Sequence, residues 1–198
     1  MHSTVFDAFD EICRSRAVSG TVLEIGATPD ASTLLNLPAL SGATEKLGVS
    51  LDGMGRFADF KILKVNSNDM TCFGDQQFDA VLCNSVLEHD KYFWKTLAEI
   101  RRVVRIGGLV AIGAPGYTTL PLESKFRGAL TKVSALSGSE DGWAFQHSTL
   151  TLGVHNFPGD YYRFSEQTFR EVFFEGMKEV AIRTVLVPPR IIGAGIRS

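Results

Sequence analysis

The stretch VLEIGATPDAS, residues 22–32, decides the fold when it is read with FDAVLCNSVLEHDKYFWKTLAEIRRVVRIGGLVAIGAPG, residues 78–116. The first is a short apolar strand running into an acidic residue, a glycine turn and a capped helix start. The second reads strand, polar turn, long helix, glycine pair, strand. Two such units in one small chain imply a parallel sheet with a site for a nucleotide-like ligand at its strand ends. Gly26 allows a tight turn with no Cβ between backbone and ligand. Thr28 sits at a helix N-cap position and Pro29 at the first helical position, where a missing N–H is harmless. A helix start lying over a strand end is a ready cradle. Glu24, an acid inside an apolar strand end, needs a partner there.

Working outward, the spacing predicts a helix over 4–17, a strand over 21–25, a helix over 29–40, a strand over 46–51, a short helix or turn over 53–59 and a strand over 61–65. After a loop come a strand over 78–83, a helix over 88–104, a strand over 108–113 and a helix within 121–136. A polar segment, 137–160, then leads to a helix over 165–176 and strands over 179–187 and 190–195. Regular alternation of strand and helix argues for a parallel sheet wrapped by helices on both faces. Only Pro188-Pro189 separates the last two strands, far too short for a parallel crossover, so they should pair antiparallel. In the long helix Phe93, Leu97, Ile100 and Val104 form one apolar stripe. Lys95 and Glu99 face solvent, Arg101, Arg102 and Arg105 compensate the helix dipole, and Gly107-Gly108 stop the helix.

The bulk numbers narrow the class. A chain of 198 residues, 44% apolar and 21% charged, suits a single globular domain spanning 1–198. A formal net charge of −2 gives no electrostatic case for nucleic acid or an anionic membrane. No apolar run approaches the ~20 residues of a membrane span. The start, MHSTVFDAFDEICRSR, carries acids where a secretory signal would carry lysines and an apolar block, and reads as an amphipathic helix. Cys13, Cys72 and Cys83 are odd in number and lack metal-ligand spacing, which fits reduced thiols and a cytoplasmic location.

After Gly26 the next glycine is Gly42, so the G-x-G-x-x-G pattern of dinucleotide binding is absent. A ligand without a pyrophosphate but with a cationic amino group suits Glu24 better. With VLEIG, FGDQQFDAVLCNSVLEH and EIRRVVRIGGLVAIGAPG in this order and spacing, the chain resembles the class I S-adenosylmethionine-dependent methyltransferases, in their small-molecule, type 11-like group. The resemblance spans nearly the whole chain. It implies a single-domain, Rossmann-like, seven-stranded, mostly parallel sheet with an antiparallel last strand, helices on both faces and a small lid insertion at about 117–163. It implies that Glu24, Gly26 and Ala27 surround the methionine part of S-adenosylmethionine, although Thr28 and Asp30 stand where the family usually has further glycines. The family's ribose-binding acid aligns with Ser50, yet Asp52 is preferred because a carboxylate accepts both ribose hydroxyls; the alternative is a solvent-facing turn aspartate. The adenine loop falls on NSNDMTCF, making Asn68, Asp69 and Met70 the candidates, with an Asx-type turn as the alternative. Asn84 and Ser85 would flank the methionine end near the transferred methyl.

Methyl transfer is an in-line displacement driven largely by positioning. A hydroxyl acceptor also needs a base, for which histidine is the usual choice. His2 is terminal, and His89 in LEHD has bracing of the cofactor loop as its alternative role. His147 and His155 lie in AFQHSTLTLGVHNFPGDYYRF, where the family places its substrate cover, and are the preferred bases. Asp160 either orients a histidine or pairs with Arg163. The segment also holds Trp143, Phe145, Asn156, Tyr161 and Tyr162, a set that suits a polyhydroxylated ligand or packs as a satellite core. Ser165 should cap the next helix, whose Phe169, Val172 and Phe173 face the core. The resulting expectation is an O-methyltransferase of a small polar acceptor, a saccharide or glycan-pathway intermediate first, releasing S-adenosylhomocysteine. N- or C-methylation of a small metabolite, or a non-catalytic cofactor-binding partner protein, are the alternatives. A divalent metal is compatible with the carboxylates but indicated by no ligand spacing. The expected partners are a small-molecule substrate, an oligosaccharide included, without nucleic acid or membrane, in a monomer or homodimer.

Overall fold

The computed structural model describes residues 1–53, 55–57, 59–118, 149–155 and 159–198. Successive strand residues point to opposite faces of a sheet, and the central strands bury both. Val22, Ala80, Leu82, Leu109 and Ala111 pack on one side, and Leu23, Ile25, Val81, Cys83, Val110 and Ile112 on the other. That is why these strands read as continuous apolar runs.

The strands are β1 (Gly20–Ile25), β2 (Ala43–Ser50), β3 (Gly55–Phe57), β4 (Phe60–Lys64), β5 (Phe78–Asn84), β6 (Val104–Pro115), β7 (Lys178–Leu186) and β8 (Pro189–Ile196). They form one sheet in the order β3-β4-β2-β1-β5-β6-β8-β7. β1 lies parallel between β2 and β5, β4 extends the β2 side, and β6 extends the β5 side. β8 is antiparallel to both β6 and β7, which is the reversal expected at the chain's end. An eighth strand joins the expected seven because Gly55–Phe57 folds back antiparallel on β4 and brings the Phe57 ring to 5.5 Å from Phe60.

Helix α1 (Ser3–Ser15) presents Val5, Ala8, Phe9 and Cys13 to one face of the sheet. Burying a side chain the size of Phe9 stabilises by about 1.5–3 kcal/mol. On the other face lie α2 (Phe93–Val103) and a short α3 (Glu166–Thr168), which Ser165 caps by accepting the Thr168 N–H. α3 widens into a π-helical turn, Phe169–Phe173, closed by the Phe174 N–H on the Phe169 carbonyl at 3.0 Å. The wider turn directs Phe169, Phe173 and Phe174 inward and leaves Val172 exposed, contrary to its expected core position.

Two helical expectations change. Residues 29–40 form no α-helix but two 3₁₀ turns, Leu34–Asn36 and Pro38–Leu40. Asp30 accepts the Ser32 N–H at 2.7 Å, a local turn that competes with helix, and Pro38 disfavours helical geometry at Leu37. Leu34, Leu35, Leu37 and Leu40 are buried all the same. The long helix is shorter than expected, because Asp90 captures the Tyr92 N–H at 2.8 Å and Val104 already opens β6. Gly107-Gly108 therefore sit within β6, where the β5–β6 register shifts. The helix expected within 121–136 lies outside the described residues. No described helix is long and apolar enough to cross a membrane.

Candidate functional site

Parallel strands finish on one edge of a sheet, and the register fixes which residues meet there. Ile25 pairs with Val49 and Cys83, and Asn84 with Gly113. β8 runs the other way, so its beginning arrives at the same edge, with Arg190 opposite Pro115. The turns after β1, β2 and β5 and the first residues of β8 thus share one rim.

At the β1 turn, Gly26 has φ +80°, and a Cβ built there would lie 2.3 Å from Val86 Cγ2. Only glycine satisfies both the conformation and the space. The Gly26 and Ala27 N–H groups donate to the Val49 carbonyl at 2.8 and 3.1 Å, wrapping the turn onto β2. Ala27 is buried as part of that wall. Glu24 is buried and finds its partner in its own chain: its carboxylate accepts the Leu34 N–H at 3.0 Å, the Leu35 N–H at 3.3 Å and the Thr33 hydroxyl. It caps the first 3₁₀ turn, the capping place expected of Thr28. Burial outweighs these donors and pushes its pKa up to about 7.

Past β2, the Ser50 hydroxyl accepts the Gly53 N–H at 3.0 Å, whereas Asp52 is exposed on the turn. Asn68 donates its amide to Asp90 at 2.7 Å and Thr96 at 2.8 Å. Met70 is wholly buried in the core, with its N–H on Glu99 at 2.6 Å and its carbonyl accepting from Arg102 at 2.9 Å. Both residues anchor the loop, and the open ring contact expected of the Met70 side chain is not what its position offers. Asp69 is exposed, with its carboxylate near the Thr71 N–H at 3.4 Å in an Asx-type turn. Glu99 and Arg102, expected in solvent, are the clamps of this loop.

Asn84 and Ser85 stand side by side at the end of β5, Asn84 donating to Ser85 Oγ at 3.2 Å. Arg190 donates Nη1 to Ser85 Oγ at 2.9 Å and to Asn84 Oδ1. It is buried, and the sequence reading gave it no role; the available signal was a lone charge opening an apolar strand. Beyond it lies Glu88, wholly buried, with neither carboxylate oxygen hydrogen-bonded among the described residues. Burial raises the Glu88 pKa, offset in part by Arg190, His89 and His155.

The described part of the insertion closes over this point. The Glu88 carbonyl accepts the Tyr161 N–H at 2.7 Å, and a His89 ring nitrogen bonds the Gly159 carbonyl. The His89 and His155 rings meet edge to face, 4.9 Å between centroids. The His155 N–H donates to Asp160 Oδ2 at 2.8 Å, and His155 Nδ1 lies 3.4 Å from that oxygen. Arg163 grips the same carboxylate with both Nη atoms, one at 2.7 Å, and holds its pKa well below the usual carboxylate range. Asp160 thus pairs with Arg163 and lies beside His155. His147, Trp143, Phe145 and Asn156 lie outside the described residues. Tyr162 packs on Phe93 and Phe164 as core, while Tyr117 and Tyr161 are about half exposed. Among the described residues no three histidines, cysteines or carboxylates gather as a metal-ligand set.

Residues 41–112 match the family model described as Methyltransferase domain. No curated protein matches the chain significantly. Phosphoethanolamine N-methyltransferase 2 of Haemonchus contortus, solved with S-adenosyl-L-methionine, superposes with TM-score 0.60 at 12% identity over 96% of this chain and 52% of that one. This chain thus spans about half the length of that enzyme. Geranyl diphosphate C-methyltransferase of Streptomyces coelicolor A3(2) gives TM-score 0.60 at 11% identity over 99% and 80% of the two chains. A putative methyltransferase of Haloferax volcanii, solved with its Trm112 activator, gives 0.58 at 17% identity over 96% of each. Residues 41–112 thus resemble a methyltransferase domain, and the chain around them shares the fold of these methyltransferases.

Proposed function

We propose that the protein is an S-adenosylmethionine-dependent O-methyltransferase of a small polar acceptor, with a saccharide or glycan-pathway intermediate as the first class to test. The observation that carries this reading is the polar cluster at the strand ends, where Arg190 bonds Asn84 and Ser85 and Glu88, His89, His155 and Asp160 gather beyond it. The donor fits the residues present: the tight Gly26 turn, packed against Val86, closes β1 at the strand ends, and Asp52 is exposed on the turn after β2. S-adenosylmethionine, when bound, supplies the methyl group on a sulfonium centre.

The chain's own residues divide the remaining work. The Gly26 turn receives the donor's amino acid end with Asn84 and Ser85, whose side chains Arg190 fixes, while Glu24 and Ala27 shape the wall behind. Asp52 takes the ribose hydroxyls, and Asp69 the adenine edge, on a loop held by Asn68 and Met70. His155, oriented by Asp160, removes the acceptor proton at its Nε2; a positioned base of this kind is worth about 10²–10⁴ in rate. His147 belongs to the same insertion and is the second candidate base. The buried thiols Cys13 and Cys83 suit a reducing, cytoplasmic setting.

A coupled assay for S-adenosylhomocysteine release across sugars, phenols and amines tests the proposal. Turnover with hydroxyl acceptors that His155→Ala lowers about 10²-fold or more is expected. Turnover with amines alone, indifferent to that substitution, would replace O-transfer by the N-transfer named for one of the structural neighbours. Donor binding without turnover across broad extracts would leave a cofactor-binding partner protein.

A further inference from the structure

Glu88 is a carboxylate with no work assigned to it. It sits in the turn after β5, wholly buried, and both oxygens lack a hydrogen-bond partner among the described residues. An isolated buried carboxylate is expensive, so such a group is retained where its charge or its proton is used. His89 Nε2 lies 3.9 Å from Glu88 Oε1, within ion-pair range. The other ring nitrogen of His89, Nδ1, faces the Gly159 carbonyl. A carbonyl only accepts, so Nδ1 must carry a hydrogen, and the neutral ring therefore presents a bare Nε2 to Glu88. One proton can lie on Nε2 or on Glu88 Oε1, and either arrangement leaves the pair with no net charge.

The other side of His89 is the His155 ring, 4.9 Å away at 87°. Were His89 a lone imidazolium, its charge would oppose a second proton arriving on His155. We propose that Glu88 is a positioning residue of the methyl-transfer site, sharing a single proton with His89 so that His155 faces an uncharged pair and can accept the proton of the methyl acceptor. The proposal rests on the O-methyltransferase reading. In that step the acceptor O–H bond breaks and its proton goes to His155 Nε2. The oxygen electron pair forms the new C–O bond, and the C–S bond breaks with its pair retained by sulfur.

Among the described residues, the other charged groups around the pair come from several elements. Arg190 approaches from β8 and Arg163 from the insertion, and both feel the Glu88 charge. Glu88 itself bears, together with Glu24 and Asp90, on the Cys83 thiol of β5. Asp160 lies behind His155. None of these is paired with Nε2 of His89, which leaves Glu88 as its partner among the described residues.

The test is an NMR titration of the ligand-free protein with labelled histidine ring carbons and glutamate carboxyl carbons, on wild type, Glu88→Gln and His89→Asn. A coupled pair titrates in two steps that belong to both groups. The His89 Cε1 signal should therefore follow a two-step curve in wild type and a single step in Glu88→Gln. The His155 midpoint should fall by about half a pH unit or more in that variant, as expected for a nearby uncompensated charge. Should Glu88→Gln fail to fold, His89→Asn keeps a donor for the Gly159 carbonyl, and the Glu88 carboxyl curve should collapse to one step. A single-step His89 curve in wild type, or a His155 midpoint unmoved by Glu88→Gln, overturns the proposal. S-adenosylhomocysteine affinity, measured by calorimetry on the same samples, separates the two ideas: binding intact with coupling absent refutes the shared proton alone, and coupling intact with no binding refutes the methyltransferase reading alone.

Discussion

Glu24 illustrates how one side chain can be recognised as important from sequence and yet aimed differently in three dimensions. An acid at the end of an apolar strand needs donors, and here the donors are Thr33, Leu34 and Leu35 a few residues along. Its pKa stands at about 7 in the folded chain against an ordinary 4.5, because burial disfavours the charged form. A raised folded value means that its stabilising contribution is complete below about pH 4.5 and is lost as pH rises through about 7. Urea unfolding midpoints should decline over that window by the equivalent of roughly 2–4 kcal/mol from this group, and the decline should be missing in Glu24→Gln. At Gly26 the constraint is steric. Gly26→Ala places a Cβ 2.3 Å from Val86 Cγ2 on a backbone with φ +80°, and the left-handed conformation alone costs about 1–2 kcal/mol. Thermal denaturation should show at least that loss, together with weakened S-adenosylhomocysteine binding because Val86 and the turn must move apart.

At the scale of elements, periodic burial was legible and local competition was not. β1, β5 and β6 declare themselves as apolar runs because both their faces are covered, and the reversal of β8 follows from a connection of two residues, Val187 and Pro188. The misread helix at 29–40 has the right apolar spacing for Leu34, Leu37 and Leu40, but the Asp30 turn and Pro38 break it into separate turns. Neither the hydrophobic pattern nor the capping residues weigh those two effects against each other. α2 shows the opposite error. Its arginines fit a solvated, dipole-compensating face, yet Arg102 bonds the carbonyls of Met70 and Phe73 and the carboxylates of Asp75 and Glu99. Such a contact joins residues some thirty positions apart and leaves no periodic trace. Arg102→Leu should free the loop from Asn66 to Phe73, raising amide exchange at Met70 and lowering stability by about 1–3 kcal/mol through unsatisfied carbonyls. Exchange at β1 should stay unchanged, because the loop opens without the sheet.

For the whole molecule, what matters is that the rim draws on strands from both halves of the sheet. Gly26 follows β1 and Asp52 follows β2, Asn84 ends β5, and Arg190 begins the reversed β8, whose direction alone brings it to that edge. A ligand bridging these positions binds only when the whole sheet is assembled, so its binding energy adds to global stability. At a concentration 100 times its dissociation constant, S-adenosylhomocysteine should stabilise the fold by about 2.7 kcal/mol. In a chain of 198 residues that corresponds to a rise of roughly 5–10 °C in Tm. Asp52→Asn isolates the contribution of one contact, because an exposed turn residue without hydrogen-bond partners among the described residues changes intrinsic stability by no more than about 0.5 kcal/mol. Losing a carboxylate that accepts the ribose hydroxyls removes about 1.5–3 kcal/mol of binding, or roughly tenfold to a hundredfold in affinity. Differential scanning fluorimetry should then find an unchanged Tm without ligand and a strongly reduced rise with it. An equal rise in both proteins would mean that the ribose is held elsewhere, with Ser50, already bonded to the Gly53 N–H, as the next residue on that turn to substitute.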